Sequence, residues 1–143
     1  MGGEVVVTPL DHTADVGFQV EAQSLEDLFL GAMRGLLEVM FARPPIEGSR
    51  RKRLRLEAPD LETLLVRFLN ELIYLVQTKG FVPGRGRLRI ERTGEGVALS
   101  ATLWGEGFRE EFGFLGEVKS ATFHGLAVRQ EDGRWRARVI LDV

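Results

Sequence analysis

Two carboxylates, an imidazole and a hydroxyl fall within five residues at Asp11-His12-Thr13-Ala14-Asp15. This polar stretch lies between the apolar run Val5-Val6-Val7 and the alternating set Val16, Phe18 and Val20, so it sits at a strand-to-strand corner. Another strand-like run, Val139-Ile140-Leu141-Asp142-Val143, also carries a carboxylate. Side chains alternate faces along a strand. By that parity Asp15 shares a face with Gly17 and Gln19, away from Phe18 and Val20. Asp142 likewise shares a face with Arg136 and Arg138, away from Trp135, Ala137, Val139 and Leu141. If the two strands are neighbours, the carboxylates can meet, and such a pair needs a proton, an arginine or a cation. A blander reading stays open: an Asx turn at Asp11, a strand start at Asp15 and a solvated terminus at Asp142.

Other chemistry is thinly represented. His12 and His124 are the only histidines. A hydrolase can be drawn with His12 as base and Asp15 or Asp142 as its orienter, but only a metal would supply the nucleophile. His124, beside Thr122, Phe123 and Gly125, reads as structural. Lys119 either neutralises the carboxylates or faces water. There is no phosphate loop and no serine nucleophile elbow. Arginine recurs on alternate residues in three places: Arg51, Arg53 and Arg55; Arg85, Arg87 and Arg89; Arg134, Arg136 and Arg138. If these faces coincide, they form a basic surface for RNA phosphates or an acidic partner; otherwise they are a solvated face mixed with Glu57 and Glu91.

The elements that must position these groups are legible. Residues 4–10 and 16–22 read as strands. Ser24 caps a helix with stripe Leu25, Leu28, Phe29, Ala32, Met33, Leu36, Leu37 and Met40, ending near Phe41 before Pro44-Pro45. A strand at 51–58 follows. Asp60 then caps a second helix, striped by Leu61, Leu64, Leu65, Phe68, Leu69, Leu72, Ile73 and Val76, which Gly80 and Pro83-Gly84 are expected to end. Strands are expected at 86–92, 97–105, 107–113, 117–123, 124–130 and 134–142, with hairpin turns at 94–96 and 131–133. The pattern is α+β: a mostly antiparallel sheet with two amphipathic helices packed on it, in a single compact domain over 1–143, with 42–92 a candidate subdomain.

Composition sets the outer bounds. The chain has 143 residues, 44% of them hydrophobic, a net charge of −2 and no cysteine. That excludes a disulfide frame and a cysteine-based zinc site, and bulk charge does not announce nucleic-acid binding. No apolar run is long enough for a membrane helix and the start lacks signal-peptide features, so a cytoplasmic address is expected.

The polar stretch Asp11-His12-Thr13-Ala14-Asp15 resembles the signature of the archease family. Phe68-Leu69-Asn70-Glu71-Leu72-Ile73-Tyr74 is similar to its second-helix motif. Gly116-Glu117-Val118-Lys119-Ser120-Ala121-Thr122-Phe123-His124 and Val139-Ile140-Leu141-Asp142-Val143 resemble its later motifs, in the family's order, over essentially the whole chain. The departures are Ser120-Ala121 for Ala-Val and Phe123, which lacks the hydroxyl, for a tyrosine. The resemblance implies a protein that is not itself an enzyme. It would activate the GTP-dependent RNA-splicing ligase of tRNA splicing, promoting ligase guanylylation and multiple turnover, and meet tRNA indirectly through the ligase. It further implies a divalent cation, calcium first and magnesium or manganese next, held by Asp15, Asp142 and a backbone oxygen of Val143. Oxygen-only ligands suit such hard cations. The alternatives are a small metal- or His-dependent phosphoester hydrolase and an RNA-binding module that uses the arginine faces.

Overall fold

Ser24 and Asp60 begin the two helices as the sequence predicts. The computed structural model describes residues 3–10 and 16–143. In it the Ser24 hydroxyl accepts from Asp27 N–H at 3.0 Å, opening helix α1 (Leu25–Met40). The Asp60 carboxylate accepts from Thr63 N–H at 2.7 Å, opening α2 (Leu61–Gln77). Each bond satisfies one of the orphan donors of a helix start. Gly80, at φ +69, turns the chain out of α2 into the next strand.

The remaining chain forms two antiparallel sheets. Strands β1 (Val6–Pro9), β2 (Val16–Ala22), β6 (Ser120–Glu131) and β7 (Arg134–Asp142) make one, in the order β1-β2-β7-β6. Strands β3 (Arg50–Ala58), β4 (Phe81–Arg92) and β5 (Val97–Gly107) make the other, in the order β3-β5-β4. The helices lie against the inner faces of both. Phe18, Phe29, Phe41 and Phe68 are fully or almost fully buried, and one hydrophobic cluster runs through both helices and both sheets. Burying each such side chain stabilises the fold by roughly 1.5–3 kcal/mol. Among the described residues no helix is long and apolar enough to cross a membrane.

Three expectations are corrected. Residues 107–113 do not form a strand of their own. β5 ends at Gly107, and Glu110–Phe112 is a turn of 3-10 helix. The reason is aromatic: Phe108, Phe112 and Phe114 gather around the buried Phe41 ring, with centroids 5.5, 6.1 and 5.5 Å away. Segments 117–123 and 124–130 are not two strands. Their strand residues belong to β6, whose register against β7 shifts between Thr122 and Ala127. Pro83 and Gly84 do not terminate α2 either; they lie within β4, where its register shifts. Proline is tolerated there because β4 is an edge strand and the position is irregular.

Helix side chains reach one edge of each sheet. Glu62, Asn70 and Gln77 of α2 accept from the backbone N–H groups of Val128, Ala121 and Val118 at 3.4, 2.7 and 2.8 Å. Glu26 of α1 accepts from Ile90 N–H of β4 at 3.3 Å. An edge strand presents unpaired backbone donors, and here polar residues at helical spacing satisfy some of them.

Candidate metal centre

The site is positioned by β2 and β7, which the structure makes neighbours. Their register runs from Ala22 opposite Trp135 to Val16 opposite Leu141. In sequence, Asp15 and Asp142 are the next residue beyond that last pair on each strand. Across the corner, Leu10 N–H donates to Gly17 carbonyl at 2.9 Å. Asp11, His12, Thr13, Ala14 and Asp15 themselves lie outside the described residues.

Close packing fixes β2. Gly31 and Gly35 present one face of α1 to it. A Cβ at Gly35 would fall 2.5 Å from the Phe18 ring, and one at Gly31 would fall 2.6 Å from Val20 Cγ1. Two glycines inside a helix cost roughly 1 kcal/mol each relative to alanine. In return the helix axis approaches the strand that leads from the polar corner. On the opposite face Gly17 lies under Ile140, where a Cβ would sit 2.5 Å from the Val139 carbonyl oxygen.

Asp142 is exposed and closes β7. It pairs with Ser120 of β6, and its backbone carbonyl accepts from Lys119 N–H at 2.7 Å. The carbonyl is thereby engaged, and the side-chain carboxylate, which makes no ion pair among the described residues, is left to face outward. Val143 is 51% exposed beside it. Lys119 is exposed and touches Asp142 through its main chain. His124 is exposed on the irregular stretch of β6, where its N–H donates to Thr122 Oγ1 at 3.3 Å. Phe123 beside it is 59% exposed. Among the described residues no three His, Asp or Glu side chains cluster as metal ligands.

The start of β6 is held from behind by residues that motif reading did not single out for a role. Gln77 brackets Val118, accepting from its N–H and donating to its carbonyl, both at 2.8 Å. Asn70 takes Ala121 N–H at 2.7 Å. These contacts place Lys119 and Ser120, and through them Asp142. A signal existed: Asn70 is the sole asparagine of the chain and lies at helical spacing from Gln77, at the border of the apolar stripe.

Two of the three arginine triplets coincide. Arg51, Arg53 and Arg55 of β3 and Arg85, Arg87 and Arg89 of β4 flank Trp104, Thr102 and Ser100 of β5 row by row, on the face turned away from the helices. The third triplet lies on β7 in the other sheet, where Arg136 pairs with Glu21 and Glu131 at 3.0 and 3.3 Å.

Comparison with known proteins agrees with this architecture. Residues 8–143 match the model of the Archease protein family (MTH1598/TM1083). Protein archease of Aeropyrum pernix is 36% identical over 137 residues, which is 93% of this chain and 94% of that protein. Protein archease of Methanothermobacter thermautotrophicus is 33% identical over 133 residues, with 93% and 95% covered. The solution structure of Methanobacterium thermoautotrophicum protein 1598 superposes with a TM-score of 0.81 at 32% identity, covering 96% of this chain and 98% of that one. By sequence along nearly its whole length and by fold, the chain belongs to the archease family.

Proposed function

We propose that this protein is an activator of the GTP-dependent RNA-splicing ligase of tRNA splicing, and that Asp15, Asp142 and Val143 hold a divalent cation at the surface it presents to that ligase. The observation that supports the site most directly is the β2–β7 register, which ends one residue short of both aspartates. The donor set fits a hard cation: carboxylate and backbone oxygen, with no sulfur and no imidazole among the three. Calcium is the first choice, with magnesium or manganese next. A cation there would neutralise the paired carboxylates and offer open coordination positions to a partner. The protein would be a helper of the ligase's guanylylation and turnover rather than a catalyst, acting beside the ligase in the cytoplasm.

The test is a ligation assay with purified ligase, GTP, manganese and cleaved tRNA halves, counting ligations per ligase molecule with and without this protein. Stimulation beyond a single turnover is expected. A protein that leaves the ligase unchanged but hydrolyses phosphoesters by itself would establish the enzyme reading instead.

A further inference from the structure

The outer face of the three-stranded sheet carries a charge pattern unlike the rest of the molecule. Six arginines stand in two rows, Arg51, Arg53 and Arg55 on β3 and Arg85, Arg87 and Arg89 on β4, with the small polar side chains Ser100 and Thr102 on the floor between them. A shallow groove of about 680 Å³ runs over this floor. From sheet geometry the two rows lie roughly 10 Å apart, and successive arginines along a row are about 6.7 Å apart. That repeat is comparable to the spacing of successive phosphates along a nucleic-acid strand.

The guanidinium groups are unequally engaged. Arg85 pairs with Glu47 at 3.1 Å and stacks on Trp104 at 4.0 Å. Arg55 reaches Glu57 at 3.5 Å and Arg89 reaches Glu91 at 4.0 Å. Arg51, Arg53 and Arg87 make no ion pair among the described residues; Arg53 and Arg87 line the groove and Arg51 stands in the next row, beside Trp104, so the three form an open cationic patch. Like charges on one rigid face repel one another, so the arrangement works against stability unless an anion occupies it. With a net charge of −2 for the whole chain, this face is also a local reversal of sign.

We infer that this arginine face is a binding surface for the phosphate backbone of RNA. A protein partner fits less well. Protein interfaces centre on apolar and aromatic side chains from which charge is depleted, whereas this face is cationic at its centre and its one tryptophan lies beneath Arg85. Arginine forks match phosphate oxygens in bidentate geometry. With no exposed aromatic side chain along the groove, bases are not stacked, so binding is independent of sequence and weak. The choice of RNA over other polyanions rests on the proposed role beside an RNA ligase, and the surface would let the activator hold the same substrate.

The test is fluorescence anisotropy of a labelled oligouridylate with the intact protein alone, titrated across salt concentrations. Because no ligase is present, its failure leaves ligase activation standing, and a failure of ligase activation leaves the binding result standing. The logarithm of affinity should fall against that of salt with a slope between about −2, for three phosphate contacts, and about −4, for six. Arg53→Gln with Arg87→Gln should flatten the slope by about 0.7 for each arginine removed and weaken binding uniformly across sequences. Arg53→Lys with Arg87→Lys, which keeps the charge, should retain most of the affinity, and Arg136→Gln on the other sheet should change nothing. The inference is overturned if Arg136→Gln weakens binding as much as the groove variants, if oligouridylate does not bind at low salt, or if polyglutamate binds as tightly as the RNA.

Discussion

Replacing Asn70 by leucine isolates one contact that holds the beginning of β6. The side chain is of similar size, and the change removes the acceptor that takes Ala121 N–H at 2.7 Å. Ala121 is 5% exposed, so water cannot readily replace the lost partner. Leaving a buried donor unsatisfied costs about 1–3 kcal/mol. Leucine recovers roughly half a kcal/mol through its better helix propensity. The expected net loss is about 0.5–2.5 kcal/mol, which for a domain of this size lowers the melting temperature by roughly 2–10 °C. Urea denaturation gives the free energy, and hydrogen exchange at Ala121 should accelerate locally by more than the global loss requires. Asn70→Asp keeps an acceptor at the same place and should lie closer to wild type. Ligase stimulation should fall in the leucine variant at temperatures where it is still folded, because Ser120 and Asp142 pair directly across from the released segment. A leucine variant as stable as wild type, with unchanged exchange at Ala121, would refute the reasoning.

Three further outcomes are expected. Asp15→Ala and Asp142→Ala should each abolish ligase stimulation without lowering the melting temperature, since each removes one member of a carboxylate pair; normal activation by either variant removes that residue from the site. Calcium, magnesium or manganese should raise the melting temperature of the wild type but not of the double variant, by an amount set by concentration over affinity; a response to zinc alone would contradict an oxygen-only site. At Asp60 the hydrogen bonds from Thr63 hold the carboxyl below its ordinary range in the folded state. The unfolded chain therefore takes up the proton first. The stabilisation is fully present above the ordinary aspartate pKa of about 3.9 and is lost as pH falls through the lowered folded value. Asp60→Asn, which caps without titrating, should lack this component, and denaturation of the two proteins across acidic pH measures the difference.

Local signals were strong enough to be read from the chain directly. The caps at Ser24 and Asp60, the apolar stripes of both helices and the turns at 94–96 and 131–133 depend on neighbours a few residues apart, and each occurs where its pattern predicts it. Strand parity also placed Asp142 on the outward face of β7, because alternation is a property of a single strand. What the sequence could not decide was which strands are neighbours. The adjacency of β2 and β7 joins residues more than a hundred positions apart, and it belongs to the core that both strands bury with the helices. The same limit explains the misread segments. Phe108, Phe112 and Phe114 look like alternating strand residues until Phe41 gathers them, and β6 looks like two strands until its continuous partner β7 is known. It also explains the arginines. Their period of two was plain in all three triplets, but whether they share a surface depends on register. β5 lies between two of them and aligns them row by row, while the third belongs to a different sheet. Spacing within an element is a local property of the backbone; coincidence between elements is set by the core they jointly bury.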